Sequence, residues 1–549
     1  MDSGNWFRRH RSAATAAGVA ALVLGALSGC SGGGGGGGSA AAAGTPRDGG
    51  TLHLAVATQP DCLDPHQSPT QAARLFARPI LDSLVYQDQK GALHPWLATS
   101  WQASPDGLRY TFQLRDGVSF TDGAPFDAAA VVANLDQVVA PATKSMLAAS
   151  LLAAYASSRA VDPHTVEITL KSPDSGLLGA LATPNLGIES PRTLTGAPSA
   201  LCTRIVGTGP FRSDGGFVSQ KGIDYTRNTA DTWSPTGSPA HLDGVSLSVV
   251  PDDSARSGAL TSGQVDAATA LSPVGLRTVK SDPALTLYQE PYPGANYAYW
   301  PNTAGGPFAD PAVRQAFREG IDWPAIVNSL YFGLYPAAAG PLATTTPGYD
   351  GSVAAAYAVN TADAAKLLDQ AGWTGRDAQG YRTKNGARLT LRHLWSSPAI
   401  QDLAVQIQSQ AKALGIEIAE QSVDSGTYVK RLLAGDYDLI DTSFASPDSS
   451  VLRVLFSAAN IPTPARGISN NMARYDNPAA EQLFQSALKA GTDADRVQAY
   501  DQVQQQVTKD AAVFPIYSPV SSIATRSTVQ GITFEVDGTP DLSTAWLAS

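Results

Sequence analysis

Between Leu93 and Val139 the chain reads LHPWLATSWQASPDGLRYTFQLRDGVSFTDGAPFDAAAVVANLDQVV, and few folds accommodate patterns in that order. Leu108, Tyr110, Phe112 and Leu114 alternate with Arg109, Thr111, Gln113 and Arg115. A period of two marks a strand with one buried face. Asp116-Gly117 is a turn signal, and Val118 and Phe120 resume the apolar face, so a hairpin is predicted here. Asp122-Gly123 breaks the strand. Asp127 sits at the N-cap position before AAAVVANLDQVV, whose Val131, Leu135, Val138 and Val139 have helical spacing. Trp96 and Trp101 precede the hairpin on a short amphipathic segment. Alone, these patterns establish a small α+β subdomain and no activity.

Upstream, residues 1–29 have the grammar of an export signal. Arg8, Arg9 and Arg11 form a basic start, and Ala13 to Ser28 is apolar but too short for a permanent span. The segment ends in Leu27-Ser28-Gly29-Cys30, which resembles the bacterial lipobox. That resemblance implies cleavage before Cys30 and its lipidation, which would anchor the chain outside the cytoplasm. Export by the general or the twin-arginine route stays open. Residues 30–48 include seven consecutive glycines, which cannot pack and serve as a flexible tether. Cys62 and Cys202 are the two cysteines left in the body, and in an oxidising compartment they are expected to pair.

Along the body, Thr51–Ala57 alternates as a strand, followed by the turn-rich loop TQPDCLDPHQSP. Ala72–Val85 is predicted as an amphipathic helix, and Val166–Leu170 as a strand. Ile205–Phe211 reads IVGTGPF. Its two glycines predict a tight turn that something approaches closely, and no GK[ST] follows to make it a phosphate loop. From residue 291 the character changes. An aromatic strand, Asn296–Trp300, precedes a helix capped by Asp310 with Pro311 at its first position. Helices and strands then alternate from Asp363 to Asp441, which predicts an α/β domain with a partly parallel sheet. Thr492–Ala511 is a long polar helix.

The chain's 549 residues carry a net charge of −10, which argues against a nucleic-acid partner. The seven histidines form no close ligand pair, so no resident metal or cofactor is expected. G-x-S-x-G, HExxH and P-loop motifs are absent, so the sequence offers no enzyme signature.

The series PWLA-SW, DGL-YTF-LRDGV-F-DG-PF-A within residues 95–128, together with the GTGP at 207–210 and VRQAF at 313–317, resembles family 5 of the ABC-importer solute-binding proteins. Members of that group carry peptides, nickel chelates and related solutes. The resemblance spans about Gly49 to the C-terminus. It implies an α/β, two-lobed clamshell of the large three-domain kind. Lobe I is expected from residues 49–88, 204–290 and 516–549, an inserted subdomain from 89–203, and lobe II from 291–515. The implied function is capture of a small solute, an oligopeptide first, by closure of the lobes. The chain is expected to act as a monomer and hand its solute to a membrane permease driven by a separate ATPase. An oligosaccharide, a metal chelate, or a sensing role without transport are the alternatives. Candidate ligand-binding residues are Asp61, Cys62 and Leu63 on the first loop, and Asn296, Tyr297 and Trp300 on the aromatic strand. Trp395, Ser396, Ser443, Phe444, Ala445, Ser446 and Tyr517 complete the set. Peptide-binding members follow YDL with a stretch ending in Ala-Asp, whose carboxylate pairs with the peptide amine. Here Ala445-Ser446 stands at that place. Either Asp441 or Asp448 substitutes, or the ligand is not a free-amine peptide.

Overall fold

Thr51–Val56 alternates as expected, and its Leu52, Leu54 and Val56 are buried in the core of the first lobe. The strand runs parallel to Gly244–Val249 on one side and to Ala267–Thr269 on the other. Around these three lies a seven-stranded sheet with Leu285–Pro291 and Phe211–Arg212 at its edges. This computed structural model describes residues 45–548 except 146, 175, 398, 399 and 447. The export signal, Cys30 and all but the last residues of the tether lie outside that range. Among the described residues no helix is long and apolar enough to cross a membrane.

The second lobe has a five-stranded sheet in the order Glu417–Ser422, Thr390–Trp395, Leu439–Ala445, Gly294–Pro301, Phe514–Tyr517. Thr390–Trp395 is parallel to both of its neighbours, in line with the helix–strand alternation of the sequence. One face packs Tyr299, Leu391, Ile418 and Leu439 under helices that include Pro311–Gly320 and Gln401–Leu414. The other packs Trp300, Leu394 and Ile440 against Phe456, Phe484 and Val503. Asp310 caps its helix as predicted, its Oδ1 accepting from the Ala312 N–H at 2.9 Å.

The chain passes between the two sheets at two places. Leu285–Pro291 ends in the first sheet and Gly294–Pro301 begins in the second, with Tyr292-Pro293 between them. Phe514–Tyr517 ends in the second sheet and Val520–Arg526 starts in the first, with Ser518-Pro519 between. The register brings the carboxyl ends of the parallel strands to the crossings in both sheets. The two carboxyl edges therefore meet at one hinge. In open α/β sheets that edge is where ligands bind.

The inserted subdomain is a four-stranded antiparallel sheet in the order Ala98–Ala103, Arg109–Leu114, Thr165–Leu170, Tyr155–Asp162. Helix Ala128–Val139 covers it, capped by Asp127 as predicted. Its hairpin differs from the expected one. Arg109–Leu114 pairs with Ala98–Ala103 through the turn Ser104-Pro105-Asp106-Gly107, whose Gly107 N–H donates to the Ser104 carbonyl at 2.9 Å. Trp101 therefore lies on a strand. Val118 and Phe120 are buried, but Ser119 bridges only to Pro125, because the Asp116-Gly117 turn leads the chain off the sheet.

The helix expected over Ala72–Val85 is also shorter. It spans Gln71–Ala77, since Pro79 has no N–H to continue it. The turn that follows explains the GTGP motif. A Cβ on Gly207 would lie 2.2 Å from the Ile80 carbonyl oxygen, and one on Gly209 would lie 2.7 Å from it. The Gly209 N–H donates to that same oxygen at 2.9 Å. What the glycines let close is this chain's own backbone.

Candidate solute-binding site

At the carboxyl edge of the second sheet, side chains that point to the helix-covered face change character along the strands. Leu391, Ile418 and Leu439 form a fully apolar layer. Two residues further on come His393, Glu420 and Asp441, and beyond these Trp395, Ser422 and Ser443. Period two fixes this layering, because alternate residues share a face.

His393 is fully buried, and its ring lies between two carboxylates. Nδ1 faces Glu420 Oε2 at 2.7 Å and Nε2 faces Asp441 Oδ1 at 3.2 Å. A carboxylate oxygen at each nitrogen favours the doubly protonated ring. Burial pulls its pKa down, but the bonds and charges of Asp441 and Glu420 outweigh burial and hold it above the ordinary value. The Trp395 indole N–H donates to Glu420 Oε2 at 2.9 Å, and the Tyr297 hydroxyl donates to Asp441 Oδ2.

Above this layer stands a wall of tyrosines. Tyr297 stacks on Tyr517 with centroids 4.8 Å apart, and Tyr517 also contacts Tyr331 at 4.9 Å and Tyr335 at 5.3 Å. All four are partly exposed. Tyr331 ends the helix Trp323–Tyr331, and Leu334 just beyond it packs with Leu271 and Leu276 of the first lobe. At the hinge, burial pushes the Tyr292 hydroxyl up to about 12, against the opposing charge of Arg74. Within the first lobe Arg74 pairs with Asp537 at 3.1 Å.

The sequence-selected residues divide in two. Tyr297, Tyr517, Trp395, Ser396, Ser443, Phe444, Ala445 and Ser446 all fall at this edge, none fully buried. Trp300 does not. It lies 1 % exposed on the opposite face against Phe444 and Phe456, its indole N–H donating to the Thr442 carbonyl, so it is a core residue and offers no stacking platform. Asn296 is equally buried, and its amide donates to the Gly340 and Leu342 carbonyls at 2.7 Å each. It fixes the second crossing by accepting from Ser518 Oγ at 2.8 Å.

Of the three first-loop candidates only Asp61 is exposed, and it accepts from Ser68 and Thr70. Leu63 is in the core, and Cys62 is disulfide-bonded to Cys202. Neither carboxylate considered for the missing Ala-Asp is open. Asp441 is engaged as described, and Asp448 pairs with Arg496 at 2.8 Å.

Asp64, His66 and Glu189 form a buried group whose donor atoms lie within 4.8 Å of one another. Both His66 nitrogens are already held within the protein, Nδ1 by the Gln137 amide at 2.7 Å and Nε2 by the Gly187 carbonyl at 2.8 Å. Burial, then the charge of Asp64, raises the Glu189 carboxyl well above its usual range. The group ties the first-lobe loop to the inserted subdomain.

The family model for bacterial extracellular solute-binding proteins, family 5 (middle), matches residues 92–463. The chain belongs to this family. Among its relatives is the glutathione-binding protein GsiB of Escherichia coli K12, 27% identical over 474 residues, covering 84% of this chain and 88% of the relative. NikA from Brucella suis, solved in complex with Fe(III)-EDTA, superposes with a TM-score of 0.78 at 24% identity, over 89% of this chain and 98% of NikA. The periplasmic binding protein DppA from Helicobacter pylori, solved with the peptide STSA, gives 0.76 at 24% identity, over 92% and 99% of the two chains. At that identity the superpositions establish the two-lobed fold, and the family establishes a solute-binding protein.

Sequence reasoning passed over several residues of this family 5 protein's edge. His393 and Glu420 could have been found, since each alternates in step with a residue of the apolar layer on its own strand. Tyr331 and Tyr335 carry no such signal, because they sit at a helix end and in a loop. Tyr292 sits at a crossing whose place only the sheet pairing reveals.

Proposed function

We propose that this protein is anchored by lipid at Cys30 outside the cytoplasm and captures a small organic solute by closing its lobes. It hands the solute to an ABC permease powered by a separate ATPase, and itself catalyses no reaction. The observation that carries this reading is the pair of crossings at Tyr292-Pro293 and Ser518-Pro519, with the tyrosine wall at the carboxyl edge between the lobes. Such a site favours the closed form by the ligand's differential affinity for it. We keep the lobe boundaries read from sequence as part of this proposal, except that Ile516 and Tyr517 belong to the strand Phe514–Tyr517 of the second sheet.

An oligopeptide remains the first solute class, supported by the peptide named with the DppA structure. The occupied states of Asp441 and Asp448 favour a solute that does not rely on the amine pairing of peptide-binding members. The test is a thermal-shift screen of the full-length chain in mild detergent. Its panel holds free and N-acetylated di- to hexapeptides, oligosaccharides, and nickel with and without chelators. A ligand at a hundredfold its Kd adds about 2.7 kcal/mol, a clear shift. Turnover of a panel member instead of binding would overturn the reading.

A further inference from the structure

The two chain crossings are not all that joins the lobes, and this inference rests on the solute-binding reading above. The segment Tyr331–Tyr335 closes the helix Trp323–Tyr331, which packs in the second lobe through Ile326 and Val327. Backbone bonds fasten the residues just after it to the second crossing. The Ser518 N–H donates to the Pro336 carbonyl at 2.8 Å, and the Ala338 N–H to the Ile516 carbonyl at 3.0 Å. Leu334 nevertheless points the other way. It is 6 % exposed, in a cluster with Leu271, Leu276 and Val279 whose other buried members all come from the first lobe.

Phe332 reaches the same first-lobe helix, Pro273–Ser281. The Arg277 guanidinium lies 4.8 Å from the centre of the Phe332 ring. Phe332 is 42 % exposed and sits at φ +54°, a left-handed backbone that suits glycine and that an aromatic residue rarely adopts. An exposed ring on a strained backbone is unfavourable on both counts, and the contact with the first-lobe cation is what offsets them. Tyr335 completes the segment. It packs on the same first-lobe cluster and stacks on Tyr517, with 5.3 Å between ring centres. Tyr517 is the last residue before the second crossing, and Tyr297 stacks on it in turn.

We propose that Tyr331–Tyr335 is a third, non-covalent strap between the lobes, with Leu334 as its plug and the Phe332–Arg277 contact as its clasp. Two strand crossings let the lobes twist as well as close. An attachment beside the second crossing restrains the twist, and through Tyr335 it ties the position of the first lobe to the tyrosine wall.

The test reads the ligand-free, full-length chain by single-molecule energy transfer between labels at Ser262→Cys and Ser486→Cys, one exposed position in each lobe. Leu334→Ala should broaden the interlobe distance distribution beyond its wild-type width. Phe332→Gly relaxes the backbone and removes the clasp, and should broaden it in the same way to a smaller extent. Leu403→Ala truncates a leucine just as buried, inside the second-lobe core, and should lower the melting temperature without broadening. An unchanged width in both strap variants overturns the inference, as does equal broadening in Leu403→Ala. Phe332 lies at the surface, so Phe332→Gly decides the matter alone if Leu334→Ala does not fold. No solute enters the readout, so a negative result leaves the solute-binding function standing.

Discussion

Asp82 offers the sharpest test of the packing described for the first lobe. It is 1 % exposed, and its Oδ2 accepts from the Thr208 hydroxyl and the Trp233 indole N–H, each at 2.8 Å. It lines a cavity of about 30 Å³, room for a water or so, with Arg78, Trp96, Asp231 and Glu535. Burial raises its pKa from 3.8 to about 6, and the two donors offset only part of that. A carboxyl raised on folding stabilises the fold fully below its unfolded pKa, and that contribution is lost as pH climbs through the folded value. A rise from 3.8 to about 6 corresponds to roughly 3 kcal/mol, lost between about pH 4 and pH 7. Asp231 is raised to about 7, by burial and then by the Asp82 charge, so the two titrate together and lose stability in the same direction. Asp82→Asn keeps an acceptor for Thr208 and Trp233 and removes the titration. In urea unfolding at pH 4.5, 6 and 8, the wild-type protein should lose stability with rising pH. Over this range, which opens above the unfolded pKa, the variant should lose about 2 kcal/mol less, and somewhat less still because Asp231 no longer faces a second charge. Parallel pH profiles for the two proteins would refute the argument.

Gly207→Ala should destabilise by about 2–4 kcal/mol in the same assay, because a methyl 2.2 Å from the Ile80 carbonyl oxygen forces the turn apart and breaks the Gly209 hydrogen bond. Cys62→Ser with Cys202→Ser opens a loop of sequence separation 140, and should cost about 4–5 kcal/mol in the chain-entropy model when both proteins are unfolded without reductant. His393→Ala leaves Glu420 and Asp441 facing each other without a cation, and should cost about 3–5 kcal/mol by chemical denaturation. Tyr517→Ala removes the residue that touches the other three tyrosines, and should weaken solute binding at least tenfold in titration calorimetry while also lowering the melting temperature, because the ring packs on the second-lobe core.

Much of the fold was legible because it rests on short-range patterns. The cap at Asp127, the cap and proline at Asp310-Pro311, and the alternation from Asp363 to Asp441 each follow from a local rule and recur in the structure. The hairpin of the inserted subdomain was misplaced because two turn signals flank Arg109–Leu114, Ser104-Pro105-Asp106-Gly107 and Asp116-Gly117. Local chemistry cannot say which one closes a strand pair. The helix after Gln71 was overextended because its apolar spacing continues past Pro79, whose missing N–H decides the matter. At the edge, aromatic identity picked out Tyr297 and Tyr517 but also drew in Trp300. Trp300 is one residue out of phase with Tyr299 and so points to the other face of the sheet. Glu420 and His393 pair across strands 27 residues apart in sequence, and no local rule joins them.

The account turns on a hinge at Tyr292-Pro293 and Ser518-Pro519, and on a solute that closes the lobes about it. Labels at Ser262→Cys and Ser486→Cys, both exposed and one in each lobe, report the interlobe distance by single-molecule energy transfer. As a panel solute is added, the distance distribution should move from one state to a second, with a midpoint equal to the calorimetric Kd. A solute that binds to saturation while the distribution stays where it was would contradict the hinge and the mechanism built on it.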